Sequence, residues 1–146
     1  MKALIQRVTQ AEVCIKGCVK SKIDQGLLVF VGVEKIDQAA LAVKLAKRIL
    51  AYRIFVDNND KMNLSVTASQ GSILVVSQFT LVANTRQGNR PGFSTAALPD
   101  HALMLYHLFV HTLEDSGLNV QTGEFGADMA VSLINDGPVT FLLEES

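Results

Sequence analysis

Apolar and polar residues alternate with a period of two along the start of the chain, the pattern of half-buried strands. Leu4 to Val8 is a short apolar run, and Ala11, Val13 and Ile15 then alternate with Glu12, Cys14 and Lys16. Val19 to Ile23 reads as a hairpin partner across Lys16-Gly17. Leu27 to Val33 is apolar throughout except at Gly32, as expected of a central strand covered on both faces.

The period then changes to that of a helix. Asp37 is a candidate N-cap for a helix running to about Ala51, with Ala39, Ala42, Val43, Ala46, Ile49 and Leu50 in its apolar stripe. Arg53 to Val56 returns as a strand into the turn Asp57-Asn58-Asn59-Asp60, and Ile73 to Leu81 reads as one long strand. A loop containing Gly88, Pro91 and Gly92 follows. Pro99 suits the first turn of a second helix, whose core stripe is Ala102, Leu105, Tyr106, Phe109, Val110 and Leu113, with Gly117 at its end. Asn119 to Thr122, Ala130 to Ile134 and Val139 to Leu143 are the closing strands. Two helices among about eight strands, without strict alternation, predict an α+β fold with a mixed, largely antiparallel, barrel-like sheet.

With 146 residues, 49% of them hydrophobic and 18% charged, the chain suits a single domain spanning 1-146. No apolar run is long enough for a membrane span, and the N-terminus lacks the features of a secretory leader. A soluble, cytoplasmic protein is therefore expected, with Cys14 and Cys18 as reduced thiols. A formal charge of −1 gives no bulk signal for nucleic acid, so such a partner would have to be engaged locally.

Chemistry is sparse. His107 and His111 share a helix face, but no third ligand at convincing spacing accompanies them, and no metal is expected. Ser77-Gln78-Phe79-Thr80 ends an apolar strand in hydroxyl and amide groups, which places polar chemistry at the rim of the core. All three histidines fall on one helix and the nucleophile-elbow glycines are missing, which argues against a Ser-His-Asp machine. Arg86 and Arg90 lie in the glycine-containing loop with Phe93 beside them. Near the C-terminus, Gly137-Pro138 divides two apolar runs. Taken alone it reads as an ordinary hairpin turn, and a cis bond or a cleft wall without a side chain is the alternative.

Together these segments resemble the D-aminoacyl-tRNA deacylase (D-tyrosyl-tRNA deacylase) family of the bacterial and eukaryotic type. Its two signatures look like Ser77-Gln78-Phe79-Thr80-Leu81 and Asn135-Asp136-Gly137-Pro138-Val139-Thr140. Similarity extends through Gln6-Arg7-Val8, Gly26 to Glu34, Tyr52 to Phe55, Lys61 to Leu64, Gly88 to Ser94 and Met129 to Val139. Asp60, Asn84 and Gly92 depart from the usual family residues, all in or beside loops.

The resemblance implies a hydrolase that cleaves the ester joining a D-amino acid to the 3′ end of tRNA, and that also removes glycine mischarged onto tRNA(Ala). It implies Ser77, Gln78, Phe79 and Thr80 as the catalytic segment. It further implies a homodimer in which a cis Gly137-Pro138 enters the partner's active site and excludes L side chains. Arg7 and Met129 resemble residues that hold this element and line the pocket, and Phe125 one near the terminal adenosine. No cofactor, DNA partner or membrane is expected. Three alternatives stay open: a non-catalytic RNA-binding module, an editing domain like those of threonyl-tRNA synthetases, and a generic esterase.

Overall fold

Fourteen consecutive residues, Lys2–Ile15, form the first strand (β1), around which a computed structural model describing residues 1–146 is built. The two short runs expected there are one strand, because both halves find partners on both edges. Its first half pairs antiparallel with β3 (Gly26–Gly32) and its second half with β2 (Cys18–Ile23), while β8 (Ala130–Glu144) runs along its other edge. The β1–β2 turn places Lys16 at φ +50° and Gly17 at φ +77°, the left-handed pair that a two-residue hairpin requires.

Strand β6 (Ser72–Ser77) joins β3 in parallel, and β7 (Val120–Thr122) joins β6 in parallel. The sheet order is β2-β1-β3-β6-β7, and Ser21 Oγ donates to the Thr122 carbonyl, bringing the β2 and β7 ends together. The fold is thus α+β with a mixed, nearly closed barrel. A separate pair, β4 (Arg53–Val56) and β5 (Met62–Ser65), flanks it; β5 carries no clear period in the sequence. Asp60 closes the intervening turn at φ +56°, while Asp57 Oδ1 accepts from the backbone N–H groups of Asn59 and Lys61.

Two cores follow from the period of two. Leu27, Val29, Val31, Ile73 and Val75 face a layer made by helices α1 (Ala39–Ala51) and α2 (Pro99–Glu114). Leu28, Leu74 and Val76 point the opposite way and meet Val8, Val13 and Ile23 inside the barrel. That is why β3 and β6 are apolar on both faces. No helix is long and apolar enough to cross a membrane.

Three expectations are corrected. Asp37 does not cap α1; the N-cap is Gln38, without a side-chain bond. Asp37 is drawn instead to a stronger partner, the buried N-terminal ammonium at 2.7 Å, and it also accepts the Glu34 N–H at 2.7 Å. The strand expected over 73–81 ends at Ser77 and gives way to a 3-10 turn, Phe79–Val82. Gly137-Pro138 is not a hairpin turn, because β8 continues on both sides of it along β1.

Glu145, next to the C-terminus, ties the end of the chain to α1. Its carboxylate accepts from Lys44 Nζ at 2.6 Å and Arg48 Nη1 at 2.8 Å, and these two cations hold it below the ordinary glutamate value of 4.5. A depressed folded-state value stabilises the fold above the ordinary value, and that stability is lost as pH falls through the lower one. Urea midpoints measured from about pH 6 down to about pH 3 are expected to fall less steeply for Glu145→Gln than for the unaltered protein. Equal slopes would show that the pairing contributes nothing.

Candidate active site

A cleft of about 540 Å³ opens at the C-terminal end of β6. One wall is Val76, Ser77, Gln78 and Phe79; another is the start of α2 at Pro99 and Ala102; the third is the segment from Phe125 to Met129. Of the residues singled out from sequence, the structure brings Ser77, Gln78, Phe79, Phe125 and Met129 together in this one cavity. Thr80 stands just outside it, where its hydroxyl accepts from Gln78 Nε2.

Backbone economy explains the shape of the first wall. Gln78 donates the last ladder bond, to the Val31 carbonyl at 2.8 Å. The first bond inside the turn is donated by Leu81 to the Gln78 carbonyl at 3.1 Å. The Phe79 and Thr80 amides precede that bond and so have no acceptor within the turn. Gly32 makes room for this turn. A Cβ there would come within 2.8 Å of Val82 Cγ1 and 3.0 Å of the Gln78 carbonyl oxygen. The sequence marks Gly32 only as the single break in an apolar run.

The third wall depends on a second glycine that sequence reasoning did not single out. A Cβ at Gly123 would lie 2.6 Å from Met129 Sδ, so Met129 folds back where Gly123 lacks a side chain. Phe125 packs on Tyr106 with ring centroids 5.7 Å apart. Burial pushes the Tyr106 phenol up to about 12, which keeps it a neutral donor, and its hydroxyl donates to the Val75 carbonyl at 3.4 Å. Asp128 is the one ionisable residue lining the cleft. No histidine lines it: His107 and His111 are exposed on α2, and His101 Nε2 lies 2.9 Å from the Asp37 carbonyl oxygen.

Arg7, Gly137 and Pro138 form a second constellation, outside this protomer's cleft. Gln6 pairs with Thr140 and Val8 with Asn135, so four residues of β8, Asp136 to Val139, stand opposite Arg7 alone. The result is an exposed bulge in which the Gly137-Pro138 bond is cis. Arg7 is buried beneath it. Its Nε donates to the Asp136 carbonyl at 3.0 Å and pairs with Asp136 Oδ2 at 3.2 Å, and Nη1 donates to the Ile54 carbonyl at 2.7 Å. Asn135 fastens the base, with Nδ2 donating to the Arg7 and Val139 carbonyls and Oδ1 accepting the Val139 N–H.

The family described as D-Tyr-tRNA(Tyr) deacylase matches this chain over residues 4–144. The chain belongs to that family. Among deacylase relatives, the D-aminoacyl-tRNA deacylase of Proteus mirabilis is 57% identical over 144 residues, covering 99% of both chains. That of Colwellia psychrerythraea is 56% identical over 143 residues, covering 98% of this chain and 99% of its own. A solved structure of the c-Myc DNA unwinding element binding protein superposes with a TM-score of 0.94 at 37% identity, over 100% of this chain and 99% of that one. A probable eukaryotic D-amino acid tRNA deacylase shares the fold, with a TM-score of 0.84 at 16% identity over 97% of each chain.

Proposed function

We propose that this chain is a hydrolase that frees tRNA from D-amino acids, by cleaving the ester at the tRNA 3′ end in the cleft below Ser77-Gln78-Phe79. The observation that carries the reading is the convergence of that segment with Phe125 and Met129 in one cavity, within a chain collinear with the deacylases. An aminoacyl ester is already activated, so orienting the attack and stabilising an oxyanion supply most of what the reaction needs. The Phe79 and Thr80 amides are suited to that oxyanion. No histidine lines the cleft, and Asp128, its one ionisable residue, lies on a different wall from Ser77-Gln78-Phe79, so the attack is assigned to water aided by the substrate's neighbouring ribose hydroxyl. Thr80 then positions and does not attack.

Selectivity is assigned to the Gly137-Pro138 bulge. It is exposed and fastened from below, and it lines no part of its own protomer's cleft, which suits insertion into the cleft of a second copy. Ile134 and Leu142, 53% and 51% exposed on either side of the bulge, supply apolar surface for such a homodimer. The free edge of β8, which pairs only with β1, runs beside them. A fixed main-chain segment rejects an L side chain sterically, whereas a flexible side chain would yield. Glycine has no side chain to reject, so Gly-tRNA(Ala) is a second substrate. The whole chain acts as one domain, and its substrate argues for work in the cytoplasm.

The decisive assay compares D-Tyr-tRNA, L-Tyr-tRNA and Gly-tRNA(Ala) with purified protein. Loss of the D-tyrosyl and glycyl esters, with L-Tyr-tRNA spared by roughly three powers of ten, is the expected result, equivalent to about 4 kcal/mol of discrimination. Comparable rates on both enantiomers would remove the gate. No hydrolysis of any ester would leave only an RNA-binding module.

A further inference from the structure

We propose that the loop Asn84–Gly92 and the exposed Phe79–Phe93 pair form a docking platform for the single-stranded 3′ end of tRNA, with Arg86 and Arg90 on its phosphates and Phe93 stacked on a base. The proposal rests on the reading of the cleft as the deacylation site, and adds where the nucleic acid leaves it.

Charge distribution is the first argument. From Lys61 to Pro99 the chain has no aspartate or glutamate, while Arg86 and Arg90 fall within that stretch. In a chain of net charge −1 this gives the loop a local positive charge, while the nearest carboxylate residue paired with the stretch, Glu34, meets its far end at Ala96. Neither guanidinium takes part in an ion pair. Asp128, on another wall of the cleft, repels phosphate and favours an exit on the arginine side.

The loop is also built to present these groups. Asn84 and Gly92 exchange two backbone bonds, 2.8 and 2.9 Å, which close the loop at its base. Asn84 Oδ1 accepts the Arg86 N–H at 3.0 Å, and Gly88 turns the tip at φ +66°. Thr95 Oγ donates to the Val82 carbonyl at 2.7 Å, fastening the loop's return to the 3-10 turn of the cleft wall.

The aromatic pair is the third argument. Phe79 and Phe93 are 59% and 41% exposed, with ring centroids 5.1 Å apart. Phe79 lines the cleft and Phe93 does not, so Phe93 lies one ring outward from it, three residues along the chain from Arg90. Exposed rings at the base of a loop that carries unpaired guanidinium groups suit single-strand binding, in which any base offers a face to stack on. A duplex would hide its base faces, so the occupant is an unpaired strand.

The test measures binding of uncharged tRNA across a salt series, and hydrolysis of D-Tyr-tRNA beside the D-tyrosyl ester of adenosine. Arg86→Ala/Arg90→Ala is expected to weaken tRNA binding about tenfold and to flatten the slope of log K against log salt by about 1.4, two single-strand phosphates' worth. Phe93→Leu is expected to weaken it by roughly tenfold, and Phe93→Tyr to restore it. All of these variants should cleave the adenosine ester as the unaltered protein does, with KM raised for D-Tyr-tRNA alone. An unchanged Kd and salt slope would overturn the platform, as would equal losses on the small ester or an unaltered protein that does not bind uncharged tRNA. If binding behaves as expected while neither ester is cleaved, the platform stands and the deacylase reading fails.

Discussion

Gly137→Ala is expected to lower kcat/KM for D-Tyr-tRNA by about two powers of ten and to shrink the D/L ratio, while the protein stays folded. A Cβ at Gly137 would meet the Val139 backbone nitrogen at 2.3 Å and Val139 Cγ2 at 2.6 Å. The first of these is main chain, so relief requires the bulge itself to move. Displacement of about an ångström at a positioning element is enough for a hundredfold loss. Gly137 is exposed, but Val139 belongs to the helix-side core, and overpacking of this kind at one core residue costs about 1–3 kcal/mol, too little to unfold the chain. Rates on both enantiomers, taken with the unfolding midpoint, separate the possibilities. A folded Gly137→Ala protein with undiminished D-selective activity would show that the bulge is not the gate.

Legibility in the sequence followed the physics of each element. The helices were readable because their apolar stripes face a single layer. Even so, the α1 stripe omits Leu45, which is buried, and includes Ala39, which is exposed. β3 and β6 were readable as two-sided strands for the opposite reason, since they separate two cores. Hydropathy did not show where β6 stops: Phe79 and Leu81 keep an apolar alternation, and the chain turns because Gly32 admits the 3-10 turn. Nor did it show that β8 is continuous. The continuity comes from the long-range partner β1, and a glycine-proline pair taken locally favours a turn. Within the site, the polar end of an apolar strand marked Ser77 to Thr80 and resemblance supplied Phe125 and Met129, whereas Gly123, Asp128 and the place of Tyr106 beneath Phe125 come into view only with the fold. Their roles depend on neighbours distant in the chain, which spacing does not encode.

The second large effect is expected at Arg7. Arg7→Met keeps most of the side-chain length but removes every guanidinium donor beneath the bulge. The carbonyls of Ile54 and Asp136 then lose their partners, at about 1–3 kcal/mol for each acceptor left buried. Asp136 is half exposed and water recovers part of its share, so a total of about 2–4 kcal/mol in urea unfolding is expected. The catalytic loss should exceed what stability explains. At a temperature where the variant is fully folded, kcat/KM for D-Tyr-tRNA is expected to fall by more than about tenfold, because the bulge retains only its Asn135 fastening. Arg7→Lys is not a rescue. A single ammonium does not reproduce the divergent Nε and Nη1 bonds that join β4 to the bulge. If Arg7→Lys restored both stability and D-selective activity, charge alone would suffice and the fastening geometry would be irrelevant. If Arg7→Met lost stability yet kept its rate, the bulge would be rigid without Arg7.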